Sequence, residues 1–387
     1  MRFHVVALPH TITSKEYNAC AYTQKVYNFC KMMMSLGHEV YHYGTEGSNP
    51  PCTEHITIMT KEDQKRFFGD HDWHTDFFNI EWNGSLPYWQ HANINAASEI
   101  NKRKQKRDFV CLIGGDCQKE ISDLVGESMT INVEFGIGYK GAFAKYRAFE
   151  SYAQMHKVYM FGKNGYNTDG GNYDAVIPNY FDPDDFPFGA EKDDYYLFIG
   201  RFIVRKGIRV AVQATKVMGA HLKMAGQGVT ARDGQKLIGE ELTIDEPHVE
   251  HVGYADVKKR GELMSRAKAV FVPTYYLGPF EGVAVEAMMC GTPVLTSDWG
   301  AFPETVQHGV TGYRCRTLEQ WVWAAEAATK LDPEKIRRYA VSNYGIDRVA
   351  KMYQEWFEML LGLWGPGWPN IPDQKRVQLD WLNKYYE

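Results

Sequence analysis

The sequence predicts an α/β protein made of two doubly wound, Rossmann-like halves in tandem. Three observations carry this. Phe3–Leu8, a helical stretch and His38–Tyr43 read as strand, helix, strand at the start of the chain. A proline- and acid-rich segment, residues 178–194 (PNYFDPDDFPFGAEKDD), reads as a linker, and the strand–helix rhythm restarts after it at Tyr196–Gly200. Between Ala269 and Thr296 the chain runs strand, glycine-rich loop, helix, strand, the unit that places a helix N-terminus at the carboxyl edge of a parallel sheet.

The 387 residues suffice for two domains, and 44% hydrophobic content is that of a globular chain. A net charge of -5 and a pI near 6.2 argue against bulk nucleic-acid binding but leave room for a local basic patch. Met1–Leu8 is too short and polar-flanked for a signal peptide, and no apolar run reaches the length of a membrane-spanning helix. The seven cysteines are odd in number and scattered without a Cys-x-x-Cys pair. They read as reduced thiols of a cytoplasmic protein with no metal site.

In the first half, Phe3–Leu8 is a buried strand and Pro9–Asn18 a polar loop. Ala19–Leu36 is a helix ended by Gly37, and His38–Tyr43 the next strand. Ile56–Met59 is a short strand. Asp72–Gln90 gathers Trp73, Phe77, Phe78, Trp82, Tyr88 and Trp89, which either stack on a sugar or base or pack inward. Asn101–Arg107 carries five positive charges, as the solvated end of a helix or as a contact for nucleic-acid or lipid phosphates. Asp108–Ile113 is a strand leading to Gly114-Gly115-Asp116; Asp116 either faces a ligand or caps a helix over Cys117–Val125. Met129–Glu134 is a strand, Phe135–Gly141 a glycine-rich loop and Phe143–His156 a helix. His156 sits where the helix dipole favours it or where it meets a substrate. Lys157–Phe161 and Ala175–Ile177 complete the half.

In the second half, Tyr196–Gly200, Leu222–Ala225, Val249–Val252 and Ala269–Val272 read as strands, with helices over Gly207–Val217 and Val257–Arg266. The loop through Gly278-Pro279-Phe280 leads into a helix, Gly282–Cys290, capped by Gly291, and Val294–Thr296 follows as a strand. The N–H groups at that helix start form a site for an anion, in particular a diphosphate. Glu286 lies one turn inside, and helical side chains lean toward the N-terminus, so its carboxylate can face a ligand held there. The tail reads as helices over Pro333–Val341, Asp347–Leu361 and Asp373–Tyr386.

FIGRFIVRKGI, with Gly200-Arg201 ahead of Lys206-Gly207, resembles the Gly-Arg…Lys-Gly signature of retaining glycosyltransferases of family 4. VIPNYFDPDDF resembles the segment joining their two domains. Gly226-Gln227-Gly228 is similar to their Gly-x-Gly turn, and PFEGVAVEAMMCGTPVLTSDWGAFPETVQHGVTGY to their phosphate loop, helix and following strand. The resemblance is strong over residues 178–355 and weaker before. It implies a GT-B fold: an acceptor-side domain over residues 1–180, a nucleotide-sugar domain over 193–352, a cleft between them, and helices in 353–387 packing back on the first domain.

Retention and a UDP- or GDP-sugar co-substrate follow from the resemblance, with no further cofactor and no metal. Arg201 can fork onto phosphate oxygens and Lys206 can add a point charge, opposing the charge that develops as the glycosidic bond breaks. Gly200, the loop and helix start Gly278, Pro279, Phe280, Glu281, Gly282 and Val283, and Glu286 complete the implied donor site. Glu286 would meet the ribose hydroxyls, and the backbone near Val252, Gly253 and Tyr254 the base. The first domain would hold a glycan or small-molecule acceptor, with Asp116 and His156 as candidates to position it. One departure is visible: the family carries a glutamate where Gly278 stands, and Glu281 three residues on either replaces it or is an acid favoured by the helix dipole. Two alternatives remain open, transfer to hydroxymethylated DNA along the basic run and a non-catalytic nucleotide-sugar binder. Peripheral membrane contact is also open.

Overall fold

The computed structural model describes residues 1–73, 78, 80–161 and 169–363. The expected last helix, Asp373–Tyr386, and Phe77 lie outside these residues. In the first half the chain forms β1 (Arg2–Val6), α1 (Ala21–Ser35), β2 (Glu39–Thr45), β3 (Glu54–Met59), α2 (Lys61–Phe68) and α3 (Pro87–Arg103). β4 (Asp108–Leu112), α4 (Lys119–Val125), β5 (Thr130–Ile137), β6 (Tyr146–Phe149), α5 (Tyr152–Met160) and β7 (Ala175–Val176) complete it. These strands make one parallel sheet in the order β3-β2-β1-β4-β5-β6-β7.

The second half forms β8 (Tyr196–Ile199), α6 (Ile208–Met218), β9 (Leu222–Ala225), a three-stranded antiparallel insertion β10 (Val229–Asp233), β11 (Lys236–Gly239) and β12 (Thr243–Ile244), and then β13 (Val249–His251) and α7 (Val257–Arg266). It continues through β14 (Val270–Val272), α8 (Gly282–Met289), β15 (Val294–Ser297), α9 (Phe302–Thr305), β16 (Gly312–Cys315), α10 (Leu318–Ala328), α11 (Pro333–Tyr344) and α12 (Ile346–Leu363). Its parallel sheet has the order β13-β9-β8-β14-β15-β16. The direction of winding reverses between β1 and β4 in the first sheet and between β8 and β14 in the second. Ligands bind at the carboxyl ends of strands at such points.

β4, β5, β8 and β14 are buried on both faces; β8, β14 and β4 after Asp108 read as apolar runs, whereas β5 buries Thr130, Asn132 and Glu134 in alternation with apolar residues. The chain then returns to the first half. On α12, Phe357 lies 4.7 Å from both Phe3 and Phe109, and Tyr353 5.3 Å from Phe29, centroid to centroid.

The expected helix over Phe143–His156 is not formed. Tyr146–Phe149 is β6, paired with β5 and β7, and Arg147 forks onto Asp174 at 3.1 and 2.7 Å. Ser151 then caps a new helix by accepting from the Gln154 N–H at 3.1 Å, so Lys157–Met160 belongs to α5. Sheet pairing and the cap override a helical period that runs through both segments. The basic run closes α3: Lys102 pairs with Glu99, Arg103 with Glu99 and Glu54, and Lys104 donates to the Val125 carbonyl.

Two buried histidines set a pH dependence. Burial holds His10 and His42 down at about 3 each, with His71 and His55 as the second causes. The unfolded chain takes up these protons below about pH 6.5, whereas the folded chain does so only near 3, so stability falls as pH drops through that window. The melting temperature is expected to decline from pH 7 to pH 4.5 while the two imidazole resonances stay unshifted in NMR. Titration of either near pH 6.5 would contradict the assignment.

Candidate functional site

One cavity of about 620 Å³ lies between the carboxyl ends of the two sheets. The loops after β1, β8 and β14 open onto it, as the two winding reversals require. The helix start that the sequence singles out forms one wall. Glu281 is the N-cap of α8 with φ 63° and ψ 70°, a left-handed conformation rare for a side chain of this size. Its carboxylate is fixed twice, by Lys206 Nζ at 2.8 Å and by the Tyr276 hydroxyl, and Lys206 also donates to the Tyr276 oxygen at 2.7 Å. Burial works against the charge on Lys206, but Glu281 and Tyr276 outweigh it and hold the ammonium above its ordinary value. Burial, with Glu281 next, pushes the Tyr276 phenol up.

Lys206 is delivered by a tight turn. Gly207, at φ 73°, packs so closely on the Pro273 carbonyl that a Cβ there would collide with it. Gly278 has a different reason to lack a side chain. A Cβ there would stand 2.6 Å from Glu281 Cγ and 2.7 Å from Oε1. The Glu281 side chain therefore occupies the space into which a side chain at 278 would project.

Arg201, half-buried after β8, lines the same cavity, and burial together with Arg205 lowers its pKa. Glu286 faces it from inside α8, 3.3 Å from Arg260 Nη1 on α7. Gly200, Tyr254, Pro279, Gly282 and Val283 line it as well. Tyr254 donates its hydroxyl proton to Asn18 Oδ1 across the cleft.

Other expected residues stand elsewhere. Phe280 turns into the core against Phe181 and Tyr344, and Gly278 lies behind Glu281. Val252 and Gly253 are spent on the strand network, with Val252 N–H donating to Met224 O and Gly253 O accepting from Gly226. Asp116 is exposed on the turn after β4 and outside the cavity lining. Gln118 folds that turn back by accepting from the Ile113 and Gly114 N–H groups at 2.9 and 2.7 Å. His156 is exposed on α5, beside Tyr152, and also outside the lining.

The lining also includes residues to which the sequence analysis assigned no role, among them His10, Lys25, Glu150, Asn179, Arg260 and Tyr276. Glu150 was hidden because a helix was expected to run through it; it ends at β6, one residue before the Ser151 cap. Among the described residues, no three His, Cys, Asp or Glu side chains gather as a metal site, and no helix is long and apolar enough to cross a membrane.

The two halves meet around the cavity. Ser151 Oγ donates to the Pro279 carbonyl at 2.6 Å. Glu304 on α9 accepts from the Tyr152 and Ala153 N–H groups at the start of α5, both at 2.8 Å. A carboxylate at a helix N-terminus contributes about 0.3–1 kcal/mol at an exposed site. Glu304→Gln is therefore expected to shift the two domains toward an open cleft by up to about fivefold. The check is the radius of gyration by small-angle scattering; an unchanged radius with unchanged donor affinity would remove the clasp.

Comparison with known proteins places this geometry. Residues 182–347 match the family model "Glycosyl transferases group 1". Over 174 residues the chain is 30% identical to glycogen synthase of Mycobacterium tuberculosis (strain CDC 1551 / Oshkosh), covering 41% of this chain and 40% of that protein. The match thus spans about two fifths of that curated relative. The fold is that of sucrose-phosphate synthase from Thermosynechococcus elongatus, with a TM-score of 0.67 at 16% identity over 93% of this chain and 99% of that one. It is also that of Anabaena Alr3699/HepE, solved in complex with UDP-glucose, with a TM-score of 0.60 at 13% identity over 94% of this chain and 100% of that one. The chain has the GT-B fold of two Rossmann-like domains, and residues 182–347, which match the glycosyl transferases group 1 model, contribute the wall that carries Arg201, Lys206, Glu281 and Glu286.

Proposed function

We propose that the protein is a glycosyltransferase that moves a sugar from a UDP- or GDP-sugar to an acceptor hydroxyl with retention and without a metal ion. The observation that carries this is convergence. Arg201 and Lys206 from the loop after β8, the N-terminus of α8 and Glu286 one turn inside it all line one cavity.

The chemistry follows from those groups. As the bond between the anomeric carbon and the diphosphate oxygen breaks, its electron pair stays on the diphosphate. Arg201 and Lys206 stabilise the charge that collects there. The acceptor hydroxyl attacks from the same face, and its proton passes to the departing phosphate oxygen. Glu286, oriented by Arg260, takes the ribose hydroxyls. Glu281 takes the place that the family resemblance gives to a carboxylate at 278, since its side chain fills the space beside Gly278. The similarity to HepE, solved with UDP-glucose, supports a nucleotide-sugar donor.

The reading is tested by proton NMR of the product formed from an α-linked donor. An α-linked product together with free nucleoside diphosphate is expected. A β-linked product would overturn retention, and donor binding without turnover would favour a non-catalytic binder.

A further inference from the structure

Phe78 and Trp82, from the aromatic stretch that the donor reading leaves unused, line the same cavity from the first domain. We propose that this wall is the acceptor subsite and that it takes an uncharged, polyhydroxylated ring, a sugar or cyclitol; the assignment of its occupant as acceptor rests on the transferase reading above.

Trp82 lines the cavity and is 46% exposed, whereas Trp89, 5.5 Å behind it, is fully buried. His10 and Tyr22 stand roughly edge-on to the Trp82 ring, at 6.4 Å and 87° and at 6.0 Å and 66°. An open aromatic face backed by a buried indole suits the C–H face of a sugar ring, which is apolar while the rim is polar.

The polar groups around it are matched to hydroxyls. His10 is 6% exposed, and its Nδ1 has no partner among the described residues. Burial keeps this imidazole neutral, so it meets a hydroxyl as donor or acceptor. At the end of β6, Glu150 pairs with Lys25 and accepts from Asn179 Nδ2 at 3.0 Å, leaving Asn179 Oδ1 without a partner among the described residues. A buried carbonyl with no donor is costly, and an O–H from a ligand would relieve it.

Charge decides against an anionic acceptor. Lys25 is the one cation among the described residues lining this wall, and it is committed to Glu150 and to the Gly136 carbonyl at 3.0 Å. The groups left open, the Asn179 carbonyl and the remaining lone pairs of Glu150, accept hydrogen bonds. They attract hydroxyls and repel phosphate oxygens. The Ser151 bond to the Pro279 carbonyl joins this corner to the donor loop.

The test is saturation-transfer NMR of the full chain, without donor, against methyl glucoside, methyl mannoside, myo-inositol and phosphorylated glucose and inositol. Wild type, Trp82→Ala and Glu150→Gln are compared, with calorimetric titration of UDP and GDP into the same samples. At least one uncharged ring is expected to bind, to weaken about tenfold or more in both variants, as loss of an aromatic anchor does, and to leave nucleotide affinity unchanged. Preference for the phosphorylated ring, indifference to both substitutions, or no binding of any uncharged ring would overturn the proposal. Trp82→Leu and Glu150→Gln carry the test if Trp82→Ala does not fold. Trp82-dependent ring binding with no nucleotide binding would keep the ring site and remove the transferase reading. Nucleotide binding with no ring binding would do the reverse.

Discussion

Sugar transfer by Arg201→Ala is expected to fall about 10²–10³-fold, the cost of removing one preorganised group from a developing oxyanion. The guanidinium stays charged although burial and Arg205 lower its pKa, because arginine begins so far above neutrality. Its fork can meet two phosphate oxygens at once, so Arg201→Lys is expected to recover little. Initial rates of nucleoside diphosphate release, with donor affinity measured separately, give the comparison. Arg201 acts on the charge that appears in the transition state, so the rate should fall more than affinity. A variant within threefold of wild type in rate would place the diphosphate elsewhere.

Gly278→Ala is expected to lower transfer about 10–10²-fold, since it displaces a polar group fixed at the reacting centre, and to leave the fold intact. The added methyl would meet Glu281 Cγ at 2.6 Å and Oε1 at 2.7 Å. The Glu281 carboxylate is held by Lys206 and the Tyr276 hydroxyl, so it cannot move aside without losing both. Lys206 would then lose the neighbour that outweighs its burial. The backbone at 278 needs no left-handed conformation, unlike Glu281, so alanine adds no strain of its own. Turnover and melting temperature measured together separate the cases: lost turnover at an unchanged melting temperature fits the account. Wild-type turnover would show that the space beside Gly278 is not where Glu281 works.

The sequence showed what local chemistry controls and hid what the tertiary structure decides. Parallel strands buried on both faces leave apolar runs, and Gly207 and Gly291 mark turns with positive φ, so the two sheets, the start of α6 and the end of α8 were legible. Arg201, Lys206 and Glu286 were legible because each sits at a fixed offset from such a boundary. Glu150 was not: Tyr146–Phe149 carries a helical period and becomes a strand only because β5 and β7 flank it. Asp116 and His156 followed correct local rules for a turn and a helix, but Gln118 folds the turn back so that Asp116 points outward, and α5 presents His156 to solvent. The Lys25–Glu150 pair joins residues far apart in the chain, and no local pattern announces it. Trp82 and Trp89 were visible as a pair, and only the packing shows that one is core and the other faces the cavity.

The central claim is that one cleft holds a nucleotide sugar and activates its leaving group. The most direct test is nucleoside diphosphate release from a panel of UDP- and GDP-sugars with a mixture of uncharged sugar acceptors, comparing wild type with Arg201→Ala. The account predicts release from at least one donor by wild type and a collapse of that release in the variant. Equal release by both proteins, or none by a wild-type protein that neither donor class stabilises against heat, would contradict it.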